Sequence, residues 1–314
     1  MIRKIRLFIL HNHSTPKGVN KTMSFQIITD SAANIPTPMV EKMGVAVIPF
    51  YYYIDGQEHT CLDTESFDGH AYYDMIRRRT KVNTSQINPQ TYAEFMEQFL
   101  KQGQDVLYIS MSSGISSSFN SAQMGAQMLR EQYPDRRICL VDTLGASLGE
   151  GLAVFKAVEW REQGIVLPEV ERRLNLYCKR MYQIFSVDDL MHLKRTGRLS
   201  NAAAIVGMVL QIKPLLKGNE KGQIVCIQKE RGRKKAIQAL AQRYADLAVN
   251  PRNELIGIAH ADCEEDANYL AQLLREIAPP RDIITVMYEP VTGSHVGPDT
   301  LALFFPGGDD VRSK

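Results

Sequence analysis

The chain has 314 residues, a net charge of +2 and 44% hydrophobic residues. That length suggests two domains or one large one, and an ordinary globular composition excludes disorder, collagen and a coiled-coil rod. Cys61, Cys139, Cys178, Cys226 and Cys263 are too scattered for a disulfide framework or a CxxC zinc site and fit a reducing cytoplasm, while the small net charge argues against nucleic acid.

The charge is unevenly placed. Residues 1–21 hold Arg3, Lys4, Arg6, Lys17 and Lys21 and no acid, so without those five the total of +2 becomes −3 for residues 22–314. The apolar stretch Leu7 to Leu10 is shorter than the ~7–15 residues of a signal-peptide core. His11 and His13 stand without companion ligands, and residues 1–22 read as a flexible extension. The longest uncharged run, Val106 to Leu129, exceeds the ~18 residues of a membrane span. Its seven serines would strand polar groups in hydrocarbon, so no transmembrane segment is expected.

From Ser24 to Thr29 the pattern predicts a strand, which breaks at Asp30-Ser31. Val45 to Ile54 reads as one strand rich in β-branched and aromatic residues, closed by an Asp55-Gly56 turn. Helices are expected over Ser66–Arg79, Pro89–Leu100, Ser118–Arg130, Ala146–Arg161 and Pro168–Lys179, with strands at Val106–Ser110 and Arg137–Thr143. This alternation argues a parallel sheet covered by helices. The second half differs. It offers a strand at Gln183–Val187, a loop through SVDDLMHLKRTGRLS, and a hairpin of Val209–Leu216 with Gln223–Gln228. Helices at Lys234–Val249 and Glu264–Ile277 then alternate with strands at Leu255–His260, Ile283–Val291 and Leu301–Phe305, with a short helix or turn at Gly297 before the last strand. The fold class is therefore α/β: an α/β half with a mainly parallel sheet, then an α+β half, with the boundary near residues 165–182.

Ligands of open α/β sheets lie beyond the carboxyl ends of the strands. Asp30-Ser31, Thr84-Ser85-Gln86, Ser112 to Ser118 and Asp142-Thr143 fit that position as polar loops, and Ser294-His295 adds a fifth cluster. The serine loop carries more hydroxyls than one helix cap needs and suits an anionic headgroup. Gly114-Ile115-Ser116 begins a nucleophile-elbow pattern, but Ser118 stands where its second glycine belongs. A phosphate loop is missing, and Gly145 to Gly151 does not match GxGxxG. Asp188-Asp189 reads as a helix cap ahead of a metal site. Lys194 to Arg198 is either surface charge or a site for phosphate or an acidic partner. Lys229 to Lys235 reads as a solvated helix start.

Seven segments in order then resemble the DegV family of bacterial lipid-binding proteins. They are IITDSAANIP (27–36), TSQINP (84–89), ISMSSGISSSFNSA (109–122), VDTLGASLGEGLAV (141–154), FSVDDLMHLKRTGRLS (185–200), IKPLL (212–216) and SHVGPD (294–299). The resemblance implies an α/β domain over 23–175 bearing the headgroup loops, an α+β domain over 176–314, and one long-chain fatty acid between them. It implies no catalytic residue, cofactor or metal in this chain. A separate ATP-dependent fatty acid kinase subunit would phosphorylate the bound carboxylate. By the same resemblance Thr84 and Ser116 hold the carboxylate, Ser113 and His295 lie beside it, and Arg198 faces the kinase partner. The sequence departs from the family at Ser117-Ser118, usually Gly-Thr, at Thr196, usually glycine, and at Asp299, which would bring a carboxylate to the pocket mouth. A serine-dependent lipid or ester hydrolase using Ser113 or Ser116 is the alternative, and a regulatory lipid sensor is a third reading.

Overall fold

The computed structural model describes residues 25–200 and 212–314. The expected extension at 1–22, and residues 209–211 of the expected hairpin, lie outside the described residues.

Four parallel strands form the first sheet: β1 (Phe25–Asp30), β2 (Ala46–Ile48), β6 (Asp105–Ser110) and β7 (Ile138–Asp142), in the order β2-β1-β6-β7. Strands β1 and β6 are buried at nearly every position, as expected where helices cover both faces. A short helix, α1 (Thr37–Met43), links β1 to β2. The expected single strand at Val45–Ile54 is two. Pro49 lacks the N–H a ladder needs, and the chain leaves the parallel sheet there. It re-enters extended structure as β3 (Tyr51–Ile54), which pairs antiparallel with β4 (Gln57–Thr60) and β5 (Val82–Ser85). At the tip, Asp55 and Gly56 both take positive φ, the geometry of a tight two-residue hairpin. The connection from β4 to β5 carries α2 (Gly69–Arg77).

Helices α3 (Pro89–Leu100) and α4 (Ser118–Arg130) keep their expected bounds. Asn88 caps α3 by accepting from Thr91 N at 2.9 Å, and Pro89 occupies the first helical turn. The hydrogen-bonded span of α5 is Leu148–Glu162, and that of α6 is Leu167–Arg180. Every residue of α5 from Leu148 to Val154 is buried. A helix buried all round belongs between layers rather than at a surface. Indeed α5 packs against β1 and β6 of the first sheet and against three strands of the second.

That second sheet has six mixed strands, ordered β10-β9-β8-β13-β11-β12. They are β8 (Met181–Ser186), β9 (Ile212–Gly218), β10 (Ile224–Arg231), β11 (Leu255–His260), β12 (Asp282–Met287) and β13 (Leu301–Pro306). Helices α8 (Arg233–Leu247) and α9 (Glu264–Ile277) cover one face. A short helix, α7 (Leu190–Arg195), lies where a loop was expected, and another, α10 (Pro290–Val296), starts within the expected strand and ends at Gly297, where a short helix or turn was expected. Pro290 ends the strand run early and starts α10.

The first turn of α5 leaves little room. A Cβ on Gly151 would sit 2.6 Å from the carbonyl oxygen of Ala33. Gly151→Ala should therefore lower stability by ~1–3 kcal/mol through overpacking, although alanine favours helix. Equilibrium urea unfolding checks this, and an unchanged or raised midpoint would refute the packing argument.

Candidate functional site

A cavity of about 480 Å³ opens between the two sheets, within the ~300–1,000 Å³ typical of ligand sites. Thr84, Ser113, Ser116, His295 and Arg198 all line it. Phe50, Met111, Phe185, Leu193, Val296 and Phe304 supply much of its apolar wall.

Thr84 lies in strand β5, not in a loop. Its partner across the ladder is Tyr52 on β3, so the small antiparallel sheet aims Thr84 at α10. The Thr84 Oγ1 and His295 Nε2 atoms are 2.8 Å apart. His295 Nδ1 is buried and has no partner among the described residues. Burial, then the charges of Arg198 and His192, push the His295 pKa down to about 3, so the ring is neutral at pH 7. A neutral imidazole carries one proton. Either Nδ1 holds it and is free to donate, or Nε2 donates to Thr84 and the threonine O–H is free. In both tautomers the pair keeps one unused donor.

Ser113 and Ser116 sit on the loop between β6 and α4. Ser112 anchors that loop: its N–H donates to Gly145 O at 2.6 Å and its hydroxyl to Gly222 O at 2.9 Å. Gly114 meets the β9–β10 turn so closely that a Cβ would lie 2.3 Å from Lys221 O. Ser116 Oγ accepts from Ser118 N at 3.2 Å, while Ser117, at the cap position of α4, makes no capping bond with its side chain. The Ser116 hydroxyl proton remains available to an acceptor in the cavity.

Arg198 follows α7 and is half-buried. Burial pushes its pKa down, its guanidinium donates to Thr196 O, and among the described residues no carboxylate pairs with it. The neighbouring charges differ. Asp189 caps α7 through Met191 N at 2.8 Å and lies 3.4 Å from both Arg79 and Arg195, and Asp188 pairs with Lys213. The Asp188-Asp189 pair is thus a cap and three ion pairs. The 229–235 cluster is only partly the expected helix start: Lys229 to Arg231 end strand β10, Arg233 opens α8 and bonds Asp266 at 2.7 Å, and the cluster lies outside the cavity wall. Among the described residues no cluster of three or more metal-type ligands occurs, and no helix is long and apolar enough to cross a membrane.

Several expected ligand loops prove to be scaffold. Asp30 is fully buried, accepting from Ala32 N and Tyr108 OH. Asp142 accepts from Ser113 N and Leu144 N. Ser294 turns inward to Val291 O. Asp299 bonds Arg77 at 2.9 Å and is not in the cavity wall.

The profile described as "Uncharacterised protein, DegV family" matches residues 24–306. The chain belongs to the DegV family. A DegV domain-containing protein of Clostridium perfringens is 38% identical over 283 residues, covering 90% of this chain and 97% of its own. Among solved structures, a fatty-acid-binding DegV protein of Thermus thermophilus superposes with a TM-score of 0.83 at 28% identity, covering 91% of this chain and 100% of that one. A fatty-acid-binding DegV family protein of Streptococcus agalactiae gives 0.80 at 28% identity, covering 91% and 99%.

Other residues of this DegV chain escape sequence reading. Gly145-Ala146-Ser147-Leu148-Gly149 is a complete GxSxG, and it lies in the strand–turn–helix setting of a nucleophile elbow, between β7 and α5. Ser147 has φ 53° and ψ −137°, a strained conformation for a residue with a side chain, and it lines the cavity. Its oxygen accepts from Asn34 Nδ2 at 3.1 Å. Among the described residues no histidine bonds it, so the proton acceptor of a serine triad is not in place. The flanking glycines serve Gln183 of β8, whose amide oxygen accepts from Ala146 N at 3.1 Å and whose nitrogen donates to Leu144 O at 3.2 Å. A Cβ on either Gly145 or Gly149 would meet that amide at 2.5 Å.

Outside the cavity wall lie three buried carboxyls, Asp30, Glu150 and Glu289. Burial raises Asp30 and Glu289 to about 7 and Glu150 well above its ordinary value, and repulsion among the three adds to the rise for Glu150 and Glu289. In the folded protein these groups keep protons that the unfolded chain releases above pH ~4. Stability contributed by their neutral forms is therefore lost as pH rises from ~4 to about 7. One Glu150 oxygen accepts from Thr29 at 2.7 Å and the other has no partner among the described residues. Glu150→Gln can keep the first bond and remove the charge. Urea midpoints at pH 5 and 8 should then differ less than in the parent chain, and an unaltered difference would count against the repulsive cluster.

Proposed function

We propose that this chain binds one long-chain fatty acid, with the carboxylate against Thr84 and Ser116 and with Ser113 and His295 beside it. The observation that carries this reading is the pairing of Thr84 with a neutral His295 in a cavity that is part hydroxyl-lined and part apolar, and whose wall holds an arginine without an acidic partner among the described residues. Unused O–H and N–H donors and one cation suit an anion, and the apolar wall suits a hydrocarbon tail. The Thermus thermophilus and Streptococcus agalactiae proteins, both fatty-acid-binding, support the same ligand. Burying ~14 methylenes at ~0.8 kcal/mol each offers about 11 kcal/mol before ordering costs. The tail then supplies most of the affinity, and the hydroxyls orient the headgroup.

The chain acts as a non-catalytic carrier in this reading. The exposed cations Lys194 and Arg195 beside Arg198 suit a docking partner, and a separate ATP-dependent kinase subunit would phosphorylate the presented carboxylate. The scattered cysteines favour a cytoplasmic setting.

Protein purified without detergent should show a one-to-one adduct in native mass spectra that dissociates as a fatty acid. Thr84→Val with Ser116→Ala should abolish that retention, each hydrogen bond to a carboxylate being worth ~1.5–3 kcal/mol. A double variant still saturated with fatty acid would show that the headgroup lies elsewhere. Arg198→Gln should weaken oleic acid at least about tenfold, the effect of losing ~1.4 kcal/mol of charge-assisted binding, and leave oleyl alcohol unchanged. Calorimetric titration of both ligands tests this. Equal losses would mean that Arg198 packs against the tail.

A further inference from the structure

Helix α10 belongs to the second half of the chain and is held by both halves. It packs against α7 of the second half and against α2, β3 and β5 of the first, and His192 Nε2 lies 2.7 Å from Ser294 O. Tyr72 OH donates to Pro290 O at 2.7 Å and Tyr73 OH to Tyr288 O at 2.8 Å. Its C-terminal turn presents His295 to Thr84. At its other end the Glu289 side chain accepts from Val291 N and Thr292 N, both at 2.6 Å, and thereby caps the helix. The backbone N–H of Glu289 donates in turn to Asn34 Oδ1 at 3.0 Å.

Asn34 is buried, and its amide is used at both ends. Its Nδ2 donates to Ser147 Oγ on the strained turn before α5, and its Oδ1 accepts from Glu289 N. Its backbone has φ 56°, the left-handed region that asparagine, aspartate and glycine tolerate best. One side chain thus joins the β1–α1 turn, the elbow in the cavity wall and the cap of the helix that carries His295.

We propose that Asn34 is a positioning residue for the headgroup site: it sets the height of α10, and so the reach of His295 to Thr84 and to the ligand. This rests on the fatty-acid reading given above. Asn34 does not line the cavity, so its effect on binding passes through what it holds, α10 or Ser147 of the cavity wall, and the dependence on His295 tells these two routes apart. Removing its side chain would leave the Glu289 N–H without an acceptor in a buried place, a cost of the kind that displaces a helix start. Asp30, buried close by, is already engaged, accepting from Ala32 N and Tyr108 OH.

Asn34→Gly keeps the left-handed backbone and deletes the amide. Asn34→Asp keeps an oxygen for Glu289 N, and the Ser147 hydroxyl can reverse to donate to the other. Affinity for oleic acid should fall about tenfold in Asn34→Gly, the scale of one lost hydrogen bond to the headgroup, and return toward the parent value in Asn34→Asp at pH 5, where added carboxyl charge is smallest. In a His295→Ala background, Asn34→Gly should cost nothing further. Losses that simply add would overturn the proposal, because a general destabilisation does not depend on His295. Amide hydrogen exchange of α10 supplies a readout without lipid. Exchange should quicken in α10 of Asn34→Gly and stay unchanged in α9. Unchanged exchange in α10 would overturn the proposal even if the parent chain bound no fatty acid, an outcome that would instead refute the functional reading.

Discussion

The two halves of this protein meet through the first turn of α5, and the tightness of that contact governs the rest. The helix lies between two sheets, near enough to the β1–α1 turn that a methyl group at Gly151 has no room. Gln183 fills the space left by Gly145 and Gly149 and bonds the turn above them. Dense packing of this kind transmits displacement rather than absorbing it. Because Leu144 to Ser147 form part of the cavity wall, the shape of the binding space follows from where α5 is seated. One core cluster accordingly runs through both halves, joining Ile28 and Tyr108 to Phe185, Ala259 and Phe304.

Electrostatics divide the interface into two regions. Around the cavity stand hydroxyls, a neutral imidazole and an arginine without an acidic partner. Away from the cavity wall stand Asp30 at the end of β1, Glu150 in α5 and Glu289 at the cap of α10, whose burial favours their protonated forms. A carboxylate ligand entering the first region finds donors, whereas in the second it would meet carboxyls. Asn34 stands at the border, where an amide can satisfy a hydroxyl and a backbone N–H without adding charge.

Much of this was legible in the sequence. The parallel strands announce themselves through unbroken apolar runs, and α3 and α4 through helical spacing with polar caps. The polar segments that converge on the cavity were also visible, because Thr84, Ser113, Ser116, Arg198 and His295 sit in stretches too polar for core. What escaped has physical causes. Strands β4 (QEHT) and β5 (VNTS) are short and carry little alternation, so Thr84 read as loop although a ladder holds it. Helix α10 (PVTGSHV) is made of poor helix formers and is stabilised by its cap and by burial, which local propensity does not register. Pro49 was visible, but its effect depends on a second sheet waiting to receive Tyr51. The GxSxG at 145–149 could have been found by a search for the pattern, and the absence of a base beside it could not.

The position of β13 has a consequence for biogenesis. It is a central strand, paired with β8 on one side and β11 on the other. Its neighbour β8 precedes it by well over a third of the chain, so this pairing is among the most distant in sequence, and such contacts form slowly. Until Leu301–Pro306 is synthesised, β8 and β11 present open edges toward each other and Phe304 is missing from the cavity wall. The second half therefore cannot close during translation of its own earlier strands, and the exposed edges mark the stage most open to misassembly.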